Sequence, residues 1–439
     1  MKNFLLLTTM FLFISSTSLL SQSSNKNKMS KADKAFMMQN YFEAEKLYKD
    51  AYSKEKNRAK KTELIFLQAE CARNIGTPLH LKKATSMYKR AIKAKYPHSE
   101  IYLRLAQVLQ KQQNFSDAII QFEKYKTFKP EDERADIGIQ SCLFAENALK
   151  NQSRYELSPF QHNSNQDDYS PCYSSRDYDE IFFTSSRDES FGKNKDGFSG
   201  NSFTDIYWSK YDNKKKRWSK PSAFEEPMNS GDHEATPTLN KRGNEFYFTR
   251  CMQNSNVKPI PTCEIYFSKK KGKSWISPVL LPLPYDSVSS FAHPSISADG
   301  KILYFSSDMN GGYGGKDIWY IKKIQRDEWS EPINLGDEIN TSGNELFPFI
   351  HQDGSLYFSS DGHVGMGGLD IFKATFDSEN NLRSVNNMNS PINSPNDDFG
   401  IIFEKDTARG YLSSNRIGSK GDDIYRFNLP KLNITLSGV

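Results

Sequence analysis

One unit of four short strands, repeated five times between residues 169 and 428, constrains this chain more than any other feature of its 439 residues. Each unit opens with an aromatic hairpin, as in Thr236-PTLNKRGNEFYFTRC, His293-PSISADGKILYFSSD and Phe347-PFIHQDGSLYFSSD. Three of the hairpin turns, at Arg242-Gly243, Asp299-Gly300 and Asp353-Gly354, supply the glycine that a left-handed turn position favours. A third strand follows, starting at Asp205, Asp317, Asp370 and Asp423, with Cys263 in place of the aspartate in the second unit. The fourth strand begins at Trp218, Trp275 and Trp329, and in degenerate form at Leu382. Successive third strands start 58, 54, 53 and 53 residues apart, and each tryptophan stands 19 residues before Pro237, Pro294 or Pro348. A four-stranded unit at this period is a propeller blade, because blades arranged around an axis leave only short sheet edges. The spacing therefore predicts five blades over residues 153–429.

The last unit ends at Leu429 without a fourth strand, and an orphan strand precedes the first unit at Tyr155–Leu157. Pairing the two closes the ring through residues 154–158 and removes two edges prone to aggregation. Residues 430–439 read as the start of a further, truncated β-domain. Cys251 ends a second strand and Cys263 begins the adjacent third strand, which puts them within bridging reach as a disulfide around the loop from Asn254 to Pro261. Cys71, Cys142 and Cys172 read as small buried residues.

Residues 26–150 have a different texture, helical and nearly free of proline. Ala44, Ala84 and Ala118 are each followed four residues later by a ring, at Tyr48, Tyr88 and Phe122, so alanine and ring share one helix face a turn apart. The interval from Ala84 to Ala118 is 34 residues, the tetratricopeptide period, and the 40 from Ala44 to Ala84 accommodates a longer connection near Gly76-Thr-Pro78. Three such repeats and a capping helix, Ala135 to Leu149, are expected. The fold class is thus an α-helical tetratricopeptide array followed by an all-β, five-bladed propeller. Such an array offers a groove for a peptide or protein segment, or serves as a spacer that orients the next domain.

The net charge of +5 hides a split. Residues 26–152 hold 25 Lys and Arg against 15 Asp and Glu, and residues 153–439 hold 32 against 38. The lysines are scattered over the helices, without the concentrated basic stripe that nucleic acid requires. The first residues carry Lys2, an apolar run from Phe4 to Ile14 and small residues to Ser21, the plan of a secretory signal peptide over 1–21. That run is too short to span a bilayer, and it lacks a cysteine for lipidation. An exported, periplasmic protein associated with the outer membrane through partners is the expectation.

No catalytic pattern stands out. The seven histidines show no HExxH spacing, and neither a G-x-S-x-G elbow nor a Walker motif is present. No cofactor and no metal are expected, although Asp397-Asp398 or Asp422-Asp423 could offer oxygen ligands to calcium. Asp308, Asp361 and Asp188 are read as one repeated blade position that bonds loop amides. The loops between second and third strands vary from blade to blade and read as a recognition rim.

The YFSSD and DIW or DIY words resemble TolB-like propeller repeats. Their combination with a preceding tetratricopeptide array resembles the PorE-type envelope proteins of Bacteroidetes. That resemblance implies a place in a type IX secretion, gliding or related envelope assembly. The OmpA-like part of those relatives has no counterpart here, so peptidoglycan binding is not expected. The function expected from the sequence is a non-enzymatic scaffold that binds envelope proteins through the array groove and one propeller face. The alternative is a propeller-based hydrolase or a calcium- or glycan-binding module.

Overall fold

The computed structural model describes residues 30–174, 177–191, 196, 200–252, 262–286, 288–325, 328–379, 381–405 and 408–431. The expected signal peptide, the loop from Asn254 to Pro261 and residues 432–439 lie outside the described residues.

Seven helices come first: α1 Lys31–Met37, α2 Tyr41–Lys54, α3 Arg58–Ile75, α4 Pro78–Lys93, α5 Glu100–Lys111, α6 Phe115–Phe128 and α7 Arg134–Lys150. Local chemistry sets their ends. Ser30 and Asp33 form a reciprocal capping box, Thr77 caps α4 ahead of Pro78, and Gly76 ends α3 in the left-handed conformation with φ 75°. Ala44, Ala84 and Ala118 are fully buried, and Tyr48, Tyr88 and Phe122 pack beside them. Small side chains at these positions let sequence-adjacent helices approach closely.

Five antiparallel sheets follow as a five-bladed propeller. The innermost strands are Asp168–Tyr173, His233–Leu239, Phe291–Ile296, Glu345–Ile350 and Asp398–Phe403. Glu156–Pro159 pairs antiparallel with Asp423–Asn428, Glu156 opposite Asn428, so the fifth blade takes its outer strand from the start of the propeller. The fourth strands differ from expectation. In blades 1 to 3 each is broken into two-residue pieces, such as Arg217–Trp218 and Ser222–Ala223, with Pro221, Pro278 or Pro332 in the gap. Proline has no N–H to give the ladder. Blade 4 has no proline there, and its strand Leu382–Asn387 runs unbroken.

The repeated residues have structural duties. Asp205, Asp317, Asp370 and Asp423 accept the backbone amides of Phe191, Tyr313, Met366 and Lys420 at 2.6, 2.7, 2.6 and 3.2 Å, closing the loop before each third strand. In blade 2 Cys263 faces Cys251 directly across the ladder, the two are joined as a disulfide, and their Cα atoms are 4.1 Å apart. Cys71, Cys142 and Cys172 are free and buried. Trp218 donates its indole N–H to the Tyr411 hydroxyl of blade 5 at 3.0 Å, while Trp275 and Trp329 set their edges against Phe246 and Tyr247. Asp308 and Asp361 accept the amides of Ser290 and Asn344. Asp188 does not share that position. Ser186 and Asn415 take it in blades 1 and 5, receiving the amides of Asp167 and Asp397 through a hydroxyl and a side-chain carbonyl oxygen.

The array is seated on the propeller face that carries the second-to-third-strand loops. Gly200 of blade 1 lies against the Phe42 ring of α2. Lys111 at the end of α5 bonds both oxygens of Asp397, at 2.9 and 3.0 Å. From blade 4, Met366 is fully buried within the helical core, and the Gly365 amide donates to the Ser141 hydroxyl of α7 at 3.2 Å. A Cβ on Gly365 would collide with the Asp370 carboxyl, so only glycine fits at this approach. The variable loops expected to form a free rim are thus partly engaged by the chain's own helices.

Candidate functional site

Every innermost strand is interrupted by a bulge at a left-handed residue: Ser170, Thr236, His293, Phe347 and Gly400, with φ between 48° and 59°. Four of the five are not glycine, and each such residue costs on the order of 1 kcal/mol or more. Hydroxyls of the preceding blade offset that cost. Ser413 accepts the Ser170 amide at 2.9 Å, Thr184 that of Thr236 at 2.9 Å, and Thr249 that of His293 at 3.0 Å. At these three junctions the serine or threonine of the second strand stitches one blade to the next.

These bulges turn the strands inward and close the central channel with a floor. The rings of His293 and Phe347 stack there, centroids 3.8 Å apart and 13° between planes, and Phe399 leans on Phe347 at 4.5 Å. Burial, reinforced by the Lys316 charge, lowers the His293 pKa to about 3. The neutral ring accepts the Phe347 amide through Nδ1 at 3.4 Å.

Above the floor, on the face away from the helices, lies a cavity of about 460 Å³. Rings of Tyr173, Tyr178, Phe349 and Phe403 contribute to its walls, and Asn240, His351, Gln352 and Glu404 bring polar groups to it. Its size is that of a small-molecule site. At the rim, His351 Nδ1 is 2.9 Å from an Asp353 carboxylate oxygen, and the His351 ring lies 5.6 Å from that of Phe403. Glu404 pairs with Arg409. These are the groups present that can move a proton next to a bound ligand.

Four of the five innermost strands also carry a buried acid at their start, blade 3 being the exception. Asp168, Glu234 and Asp398 pair with Arg187, Arg250 and Arg416 at 2.5, 2.6 and 2.5 Å, and each guanidinium lies over an aromatic ring. Blade 4 has no arginine at this place. Glu345 is held by Thr341 and Ser360, and burial raises its pKa to about 7. Of the aspartates considered for calcium, Asp397 is partnered by Lys111 and Asn415 and Asp398 by Arg416 and Ser394, while Asp423 accepts the Lys420 amide through one oxygen and leaves the other without a partner. Among the described residues no group of three His, Cys, Asp or Glu is placed to hold a metal ion. No described helix is long and apolar enough to cross a membrane.

His293, as part of the floor, and His351, packed against Phe403, both line the cavity. None of the repeated aspartates, tryptophans or bridged cysteines contributes to it. The cavity went unseen because its walls come from five sequence-distant strands. The proline one residue after four of the bulge positions was the available signal.

No family model and no curated protein matches this chain. Among solved structures it is similar to an endo-arabinase from Bacteroides thetaiotaomicron, at 16% identity and TM-score 0.41, over 63% of this chain and 98% of the other. An α-L-arabinofuranosidase from Lactobacillus brevis is similar at 13% identity and TM-score 0.39, over 63% and 93%. A family 117 glycoside hydrolase from Zobellia galactanivorans is similar at 13% identity and TM-score 0.38, over 63% and 90%. The activities in those names belong to those proteins. The expectation of a non-enzymatic protein-binding scaffold is corrected here: these neighbours are glycoside hydrolases, and the inner side of the array holds the chain's own Met366.

Proposed function

We propose that the propeller works through the cavity at its channel mouth, and that its ligand is a short carbohydrate. The observation that carries this reading is the pairing of aromatic walls with convergent amide, imidazole and carboxylate groups around a space of about 460 Å³. A sugar ring offers the matching chemistry, apolar C–H faces bounded by hydroxyls that both donate and accept. Hydrolysis of a glycosidic bond is the reaction that fits the rim. A two-carboxylate glycosidase needs an acid and a base flanking the bond, and Glu404 is the carboxylate among the described lining residues. His351, oriented by Asp353, supplies the second proton-transfer group.

The test uses the full chain and a panel of linear and branched oligosaccharides, with binding read by calorimetry and bond cleavage by release of reducing ends. Phe349→Ala should weaken binding at least tenfold, and Glu404→Gln should abolish cleavage while leaving binding within a few fold. If no oligosaccharide binds the wild type more tightly than Phe349→Ala, the cavity is not a carbohydrate site.

We also propose that the helical array is a tetratricopeptide array, which the burial of its alanine and ring positions supports. The PorE-type kinship, the TolB-like character of the blades and an exported, periplasmic location are likewise our reading. The bridged Cys251 and Cys263 favour an oxidising compartment. Cell fractionation with the chain in the cytoplasmic fraction would overturn the location.

A further inference from the structure

A second cavity, of about 450 Å³, lies between the helical array and the propeller, on the face opposite the channel mouth. Three arginines line it from the helical side: Arg73, Arg104 and Arg134. Each is held by a carboxylate. Arg73 bonds Glu70 at 3.0 Å, Arg104 and Arg134 both reach Glu100 at 3.2 Å, and Arg134 bonds Asp132 at 2.6 Å. Those carboxylates do not line the cavity. They fix the guanidiniums from outside it, so the wall that a ligand meets is cationic.

The opposite wall is propeller backbone rich in glycine, at Gly343, Gly362, Gly365 and Gly367, together with three carboxyls: Asp361, which accepts from Asn344, Asp397, which accepts from Lys111, and Asp370. One oxygen of Asp370 accepts the amides of Met366 and Gly367, and the other is buried with no hydrogen-bond partner. The corresponding oxygens of Asp205 and Asp423 are likewise unpartnered, so this is a feature of the blade repeat. Burial drives the Asp370 carboxyl well above its usual range. Lys111 also lines the space, but both oxygens of Asp397 occupy its ammonium.

We propose that this interdomain cavity binds a small oxyanion, a phosphate or a carboxylate, whose charged end meets Arg73, Arg104 and Arg134. Planar guanidiniums match the geometry of both anions, and forks already oriented by partner acids lose little freedom on binding. A space of about 450 Å³ takes a small molecule rather than an extended chain.

The experiment titrates the full chain with inorganic phosphate and separately with succinate, by calorimetry at constant ionic strength with chloride as the balancing salt. Saturable binding of at least one oxyanion is expected, and the stronger arm identifies the source. Arg104→Gln should weaken it tenfold or more. Arg134, whose side chain is 41% exposed, gives a variant that keeps the array folded, and Arg134→Gln should weaken binding to a similar degree. Arg134→Lys, which keeps the charge but loses the fork, should fall between. Absence of saturable binding in both arms, or equal affinity in wild type and Arg134→Gln, overturns the proposal.

Discussion

Glu345 shows at the scale of a single residue how a broken repeat creates a titrating group. Blades 1, 2 and 5 neutralise the corresponding acid with an arginine, whereas blade 4 offers only hydroxyls and an amide. Burial favours the protonated form, so the folded state holds its proton up to a pKa of about 7, while the unfolded chain releases it near the ordinary glutamate value. Between those values the folded state binds more protons, so stability is greatest at the acid end and falls as pH rises towards 7. Asp205, also raised to about 7 by burial, acts in the same direction. Chemical denaturation at pH 5 and pH 8 should show wild type losing on the order of 1–3 kcal/mol more than Glu345→Gln over that interval. Identical pH dependence in the two proteins would show that Glu345 ionises freely.

At the scale of the element, the legible features were those written locally. Hairpin glycines, the third-strand aspartates and the alanine-ring spacing each act within a few residues, so the helices and blades could be read directly. The bulges could not be. A residue before proline is steered towards extended backbone, yet Ser170, Thr236, His293 and Phe347 all take positive φ, because hydroxyls and a ring nitrogen on neighbouring blades claim their amides. The proline marks the position, but by itself it argues for extended backbone, and the channel-mouth cavity depends on the override. The bridge within blade 2 makes an element-scale prediction. Cys251 and Cys263 are 12 residues apart, and closing so short a loop is worth about 3 kcal/mol. The Cys251→Ser, Cys263→Ser double variant should therefore unfold at lower denaturant, and a reductant should affect only the wild type.

For the whole molecule, the decisive contacts are those between array and propeller. Sequence periodicity pointed to a helical part and a propeller but gave no sign that Met366 enters the helical core or that Lys111 meets Asp397. Met366→Ala should cost about 2–5 kcal/mol at the seam, as a buried large-to-small change does. Calorimetry of that variant should resolve two transitions where the wild type shows one. A single transition at the wild-type temperature would mean the two parts do not stabilise each other.

The closure of blade 5 also has a consequence in time. Glu156 is synthesised among the first residues of the propeller, and its partner Asn428 almost at the end. Until that partner is available, four sheets can form but the ring cannot, and the Glu156–Pro159 edge stays bare. Pairings this distant in sequence form slowly and leave edges available for misassembly. Ring formation is therefore the late step, and the interval before it is when a holding chaperone would matter most to this chain.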